Sequence, residues 1–248
     1  MQEILIDQSD GITTLTLHRV EKKNAFTQAM YAAMADALEQ AASDDAVRVV
    51  VIQGHVTVFS AGNDIGEFLQ APPAREGAPV FRFLHALAAF PKPLVAAVCG
   101  PAVGIGTTLL FQCDLVYAGD NAAFSMPFVN LGLCPEAASS LLVPQMLGYH
   151  RAAEALLLGE PFMAEAALEV GLVNRIVPPT EAHGVARAQA LKLAAKPLAA
   201  LRATKRLLKQ GQLAQVQARI EEESVVFGQL LQESAAKAAL AAFLDKAR

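Results

Sequence analysis

Short apolar runs rich in β-branched residues recur along the chain up to about residue 179, each followed by a stretch with helical spacing, and then they stop. Strands that alternate with helices are joined by crossovers into an α/β core. An uninterrupted helical remainder must bury its apolar faces against that core or against itself. Residues 4–6 and 12–17 read as two strands of a hairpin turning at Ser9, Asp10 and Gly11. Thr27 is placed to cap a helix reaching about residue 42, with Met30, Met34 and Leu38 on one face, and the run 47–52 follows as a buried strand. The unit partly recurs as a helix over 81–90, a strand over 94–98, a helix from about Gly104 and a strand over 115–117. From about residue 180 Ala, Leu, Lys, Gln and Glu dominate, with breaks at Pro197, Gly211 and Gly228. The expected organisation is an α/β core over 1–179 and a helical subdomain over 180–248. Residues 71–79, with three prolines and a glycine, read as a loop insertion able to serve as a lid.

With 54% hydrophobic and 18% charged residues the chain can bury a sizeable core, which excludes a disordered protein. A net charge of -4 without any Lys/Arg cluster removes the electrostatic basis for nucleic-acid binding. Cys99, Cys113 and Cys134 are too far apart for a metal-binding pair and odd in number, so they read as reduced core thiols. The five histidines, His18, His55, His85, His150 and His183, show no ligand spacing, and no metal is expected. The first residues carry acids where a signal peptide carries bases, no apolar run reaches the ~18 residues of a membrane span, and the final residues are not a peroxisomal address. A cytoplasmic protein with no membrane partner is the expectation.

Two turns after buried strands carry the first chemical signal. FSAGNDI over 59–65 and GPAVGIGTT over 100–108 each pass from a strand through small residues into a helix start, where a backbone N–H is left pointing outward. Two such donors could polarise one carbonyl. Gly104 and Gly106 fit no dinucleotide or P-loop pattern and read equally well as sites of tight helix–strand packing. Asp64 reads as a turn or cap residue, and Asp114 as a group bonding the backbone at a strand start. Glu136 is the only charged residue in NLGLCPEAASS over 130–140. It reads either as an acid opening a helix over 137–147, facing the positive helix end, or as a carboxylate buried among apolar residues and thereby made more basic.

KNAF at 23–26, FSAGNDI at 59–65, KPLVAAVCGPAVGIG at 92–106, CDLVYAG at 113–119 and AFSMP at 123–127 resemble the enoyl-CoA hydratase/isomerase (crotonase) superfamily in order and spacing over nearly the whole chain. The resemblance implies an α/β fold: a crotonase-type spiral of ββα turns with a C-terminal helical trimerisation region, assembled as a homotrimer or hexamer. It implies an acyl-CoA thioester substrate, with CoA entering as part of the substrate and no separate cofactor. It also implies an oxyanion hole made by the amides of Asn63 and Ile105. Lys23, the backbone of Ala61, Gly62, Asp64, Ile65 and Gly104, and Phe243 with Lys246 of a neighbouring subunit would line the CoA site. Gly66 stands where many hydratases carry a lysine.

The two glutamates with which hydratases of this superfamily manage water would fall at Thr108 and Phe128, and both are absent. LGLCPEAASS resembles instead the LG-xx-PEG-xS segment of monofunctional 3-enoyl-CoA to 2-enoyl-CoA isomerases, whose glutamate is the catalytic base; Ala137 replaces the usual glycine. A double-bond shift suits one carboxylate, because the base that takes a proton from C2 can return it at C4. The expected activity is therefore enoyl-CoA isomerisation with Glu136 as proton shuttle. The alternatives are another reaction through the same enolate, such as hydration, dienoyl or ring isomerisation, and non-catalytic acyl-CoA binding.

Overall fold

The computed structural model describes residues 2–70 and 77–246, the side chain of Lys246 excepted. The lid expected over 71–79 lies, but for its last three residues, outside the described residues. In chain order the elements are β1 Ile4–Ser9, β2 Ile12–Leu17, α1 Gln28–Ser43, β3 Val49–Gln53, α2 Ile65–Gln70, α3 Pro79–Ala89, β4 Leu94–Val98, β5 Pro101–Val103 and α4 Ile105–Thr108. There follow β6 Leu115–Gly119, β7 Ala123–Ser125, α5 Ser139–Leu147, α6 Tyr149–Ala153, β8 Phe162–Met163, α7 Ala164–Glu169 and β9 Arg175–Val177. The remainder is α8 Pro179–Ala194, α9 Leu198–Lys209, α10 Leu213–Gln232 and α11 Ser234–Lys246.

β1 and β2 form the expected antiparallel hairpin, closed by Asp10 and Gly11 with φ of 54° and 73°. Two consecutive positive φ values make the two-residue turn whose twist matches that of the strands. β2 then begins a run of parallel pairings, giving a six-stranded sheet ordered β1-β2-β3-β4-β6-β9, and β5, β7 and β8 form a smaller sheet. Side chains alternate across the large sheet. Val49, Val51, Val95, Ala97 and Tyr117 pack against Ala186 and Ala190 of α8 on one face. Val50, Ile52, Leu94, Ala96 and Val98 face the main core with α1 and α3. Both faces are covered at the central strands β3 and β4, so these are apolar almost throughout, whereas β1 at the sheet edge is largely exposed and carries Asp7, Gln8 and Ser9.

Thr27 caps α1 by accepting the Met30 N–H at 3.1 Å, as its position before the apolar stripe suggests. Three local expectations are corrected. The helix from Gly104 lasts only to Thr108 before tightening into a 3-10 turn. The helix expected over 137–147 starts at Ser139, because Ala137 and Ala138 adopt left-handed φ of 62° and 58°. Gly228 does not break the helical tail: α10 runs through it and pauses at Glu233, its packing against α3 and α5 outweighing the ~1 kcal/mol cost of glycine in a helix. None of the described helices is long and apolar enough to cross a membrane.

Candidate active site

The two turns singled out in the sequence interlock. The Ser60 hydroxyl donates to the Asn24 carbonyl at 2.8 Å and accepts the Gly62 N–H at 3.1 Å, while the Ala61 N–H donates to the Lys23 carbonyl. Across the gap the Val103 N–H donates to the Ser60 carbonyl at 2.9 Å. Gly106 sits so close to this strand end that a Cβ there would lie 2.9 Å from that of Ser60, so glycine is required for the approach. Tight packing is thus part of the role of Gly106, as one of the two sequence readings held.

The same framework aims two amides. The Gly62 carbonyl and the Asp64 N–H both bond to Phe26, so the intervening Asn63 N–H points to the opposite side of the chain. Gly62 has φ of 90°, a conformation that favours glycine and creates this reversal. The Ile105 N–H opens α4, where a helix leaves its first donors unsatisfied. Among the described residues neither amide has a backbone acceptor.

These turns border a cavity of about 400 Å³ lined by Ala61, Gly62, Asn63, Ile65, Gly104 and Phe128, with Phe227 and Phe243 closing it from α10 and α11. A smaller cavity of about 40 Å³ adjoins it, sharing Asn63, Phe68 and Phe227, and holds Glu136 among Tyr31, Phe81, Leu84 and Leu231. Asn63 is therefore the polar residue that faces both compartments, beside the rings of Phe68 and Phe227. Its side chain is fixed by Tyr31, whose hydroxyl donates to Asn63 Oδ1 at 2.5 Å.

Glu136 Oε1 is buried without a hydrogen-bond partner among the described residues. Burial is the main cause that pushes its carboxyl up to about 8, the charge of Glu223 adds to the rise, and the Asn63 side-chain amide acts the other way. The adjacent turn is unusual in having two successive left-handed alanines, each costing roughly 1 kcal/mol. Ala137 stands where the resemblance has glycine, and the positive φ is the physical reason for glycine there. The Glu136 carbonyl accepts from the Ser139 amide at 3.0 Å and the Ser139 hydroxyl at 2.6 Å. Glu136 is consequently not the first residue of α5. It precedes the helix, with its side chain in the cavity.

Asp64 performs the expected turn role. Burial would raise its pKa, but the Glu67 N–H and the Arg19 guanidinium 2.8 Å away hold it below the usual carboxylate range. Asp114 accepts the Leu94 N–H at 2.7 Å, as expected, and also pairs with Lys205. Lys23 is exposed beside the first turn, with φ of 52°. Phe243, which the resemblance implies for a neighbouring subunit, lines the cavity of its own chain; the Lys246 side chain lies outside the described residues. Thr108 and Phe128, at the two hydratase positions, are both buried, and the Thr108 hydroxyl has no partner among the described residues. The described residues contain no cluster of His, Cys, Asp and Glu able to hold a metal.

Sequence reasoning missed Tyr31 and Glu223. Glu223 lies on α10, only 5% exposed, and its carboxylate accepts the Ala138 N–H at 2.7 Å and the Ser140 N–H at 2.9 Å. Its place on the buried stripe with Val216, Ile220 and Leu231 was the available signal, since an acid at core spacing needs a partner inside.

A sequence model described as enoyl-CoA hydratase/isomerase matches residues 7–248. The chain is 40% identical over 89% of its length to enoyl-CoA delta isomerase 2 of Rattus norvegicus, covering 58% of that protein, and 34% identical to the Homo sapiens protein of that name, covering 62% of it. The chain thus spans about three fifths of the length of these two relatives. It is 34% identical over 99% of its length to 2,3-dehydroadipyl-CoA hydratase of Escherichia coli, covering 97% of that protein. Among solved structures, Pseudomonas aeruginosa OdaA superposes with a TM-score of 0.96 at 46% identity, covering 98% of this chain and 99% of that one.

Proposed function

The chain belongs to the enoyl-CoA hydratase/isomerase family, and from that premise we propose that it is an acyl-CoA isomerase that moves a 3-enoyl double bond into conjugation with the thioester. The observation that carries this reading is Glu136: a buried carboxyl, unpartnered at Oε1 among the described residues, in a largely apolar compartment that shares Asn63 with the cavity at the two turns. The thioester carbonyl accepts from the Asn63 and Ile105 amides. Glu136 removes a proton from C2, and the charge of the resulting dienolate rests on the carbonyl oxygen, where fixed donors stabilise it by ~3 to 4 kcal/mol apiece. The same carboxyl returns the proton at C4, leaving the double bond between C2 and C3. No water takes part, and Thr108 and Phe128 supply no carboxylate to hold one. The CoA portion occupies the larger cavity between Ile65, Gly104 and Phe243, with Lys23 outside for phosphate.

A second reading, isomerisation of a ring-bearing acyl group through the same enolate, is favoured by the aromatic lining of Tyr31, Phe68, Phe81 and Phe227. A relative named 1,2-epoxyphenylacetyl-CoA isomerase, from Escherichia coli, is 37% identical over 79% of this chain. Assembly as a homotrimer or hexamer belongs to the same proposal, and the exposed Tyr149, Leu157, Leu158 and Met163 supply apolar surface for it.

The test is turnover of 3-hexenoyl-CoA, followed through absorbance of the conjugated product, beside hydration of crotonyl-CoA. Isomerisation without comparable hydration is the expected result. Hydration at a rate equal to isomerisation would contradict the one-carboxylate mechanism.

A further inference from the structure

Glu223 approaches the Glu136 segment from a different element and makes contacts that a solvated helix acid would not. Its carboxylate oxygens separately accept the Ala138 and Ser140 N–H groups, at 2.7 and 2.9 Å. Those amides belong to the N-cap residue and the second residue of α5, a helix that has no cap from the Ala138 side chain. The segment it grips contains the two left-handed alanines that turn the chain immediately after Glu136. Strained backbone of this kind persists only where its surroundings hold it. Glu223 also lines the compartment that contains Glu136.

We propose that Glu223 is a positioning residue for the proton-transfer step: by accepting the Ala138 and Ser140 amides it holds the left-handed turn that presents Glu136 to the acyl cavity. The Glu223 charge adds to the effect of burial in making the Glu136 carboxylate more basic. The proposal rests on the shuttle reading of Glu136. The two carboxyls are close, and their surroundings divide their roles. Burial raises the Glu223 carboxyl, but its two amide donors and Arg219 on its own helix work against that rise, whereas Glu136 Oε1 has no donor among the described residues. Of the remaining groups around Glu136, Tyr31 faces it from α1 as a buried neutral phenol, Asn63 offers its amide, and Cys134 lies on the same segment with its thiol raised by burial and by the two carboxylates. Arg219 is held by the Ser140 hydroxyl at 3.0 Å and Glu222 at 2.9 Å. The amide hydrogen bonds favour the ionised form at Glu223, where it caps α5, and Glu136 is the more basic of the two carboxyls.

The experiment compares the full chain with Glu223→Gln and Glu223→Asp. The Glu136 carboxyl is titrated by NMR of carbon-labelled glutamate, its signal identified through Glu136→Gln, and kcat and KM for 3-hexenoyl-CoA are measured alongside. Glu223→Gln removes the charge, so the Glu136 midpoint is expected to shift to lower pH. Glu223→Asp keeps the charge but withdraws it by a methylene, so kcat is expected to fall about tenfold while KM stays within about twofold. Should Glu223→Gln fail to fold, the Asp variant still reads the positioning effect. A Glu136 midpoint unchanged in Glu223→Gln, or a kcat unchanged in Glu223→Asp, overturns the proposal. Full turnover in Glu136→Gln would instead overturn the shuttle reading, whatever the Glu223 variants show.

Discussion

Tyr31 and Asn63 are joined by a 2.5 Å hydrogen bond in which the phenol donates to Oδ1, and that bond fixes which face of the Asn63 side chain meets Glu136. With Oδ1 occupied, the amide nitrogen is left to face the carboxylate, whose ionised form it favours. One residue thus supplies a backbone donor at the larger cavity and a side-chain donor in the smaller one. Tyr31→Phe removes the hydroxyl but keeps the ring, which packs 5.1 Å from Phe26 and 5.6 Å from Phe83. The expected outcome is about a tenfold loss of kcat with a stability loss of about 1 kcal/mol, read from steady-state kinetics and denaturant unfolding. Unchanged kcat would show that the Asn63 side chain needs no holding.

Removing an oxyanion donor requires a change in the backbone, because the side chains of Asn63 and Ile105 are not the donors. Proline is tolerated at the first position of a helix, which is where Ile105 stands. Ile105→Pro is expected to lower kcat/KM by about 100- to 1,000-fold. Ile105→Val, which trims the buried side chain but keeps the N–H, serves as control and is expected to remain within a few-fold of the unmodified protein. Equal activity of the two variants would remove Ile105 from the oxyanion hole.

A base must be ionised before it acts, and Glu136 is pushed up to about 8, chiefly by burial. The profile of kcat/KM against pH is expected to rise toward a plateau above about pH 8, since this quantity reports the free enzyme. The same shift bears on stability. The folded value lies above the ordinary value of 4.5, so the contribution of this group is fully present below pH 4.5 and is lost as pH rises through about 8. Glu136→Gln, which cannot ionise, is therefore expected to melt at a higher temperature than the unmodified protein at pH 9 and to lose that advantage at pH 4. A flat activity profile between pH 6 and 9 would contradict this assignment.

Gly228 lies within α10 and lines the Glu136 compartment, where a Cβ would meet nothing within 4 Å beyond its own helix turn among the described residues. Gly228→Leu fills that space and removes a glycine worth ~1 kcal/mol of helix stability. The expected result is about a tenfold higher KM for long-chain 3-enoyl thioesters, little change for 3-hexenoyl-CoA, and an equal or higher melting temperature. Equal KM changes for both chain lengths would place the acyl tail elsewhere.

How far each feature was legible depends on whether its cause is local. The strand over 94–98 matches β4 because an apolar run of that length permits little else, and Thr27 announces α1 by its own side-chain bond. The interlocking turns were legible through their small residues, and the fold through the order of its motifs. The start of α5 was not, because alanine carries no sign of the left-handed φ that Ala137 and Ala138 adopt; that φ is sustained by Glu223, far along the chain. Glu223 itself was masked by Glu221 and Glu222, since three adjacent acids read as a solvated face although only the third falls on the buried stripe. Gly228 resembled a helix break because its energetic context, the packing of α10 against α3 and α5, is tertiary.

The most direct measurement is the single-turnover rate of 3-hexenoyl-CoA isomerisation by the unmodified protein and by Glu136→Gln at pH 8.5, with binding of the thioester measured on both. Glutamine keeps the size of the side chain and cannot carry a proton between C2 and C4. A loss of at least about 100-fold with thioester affinity retained is the expected result. Isomerisation that survives at a comparable rate in Glu136→Gln would show that the carboxylate between Pro135 and Ala137 is not the proton shuttle.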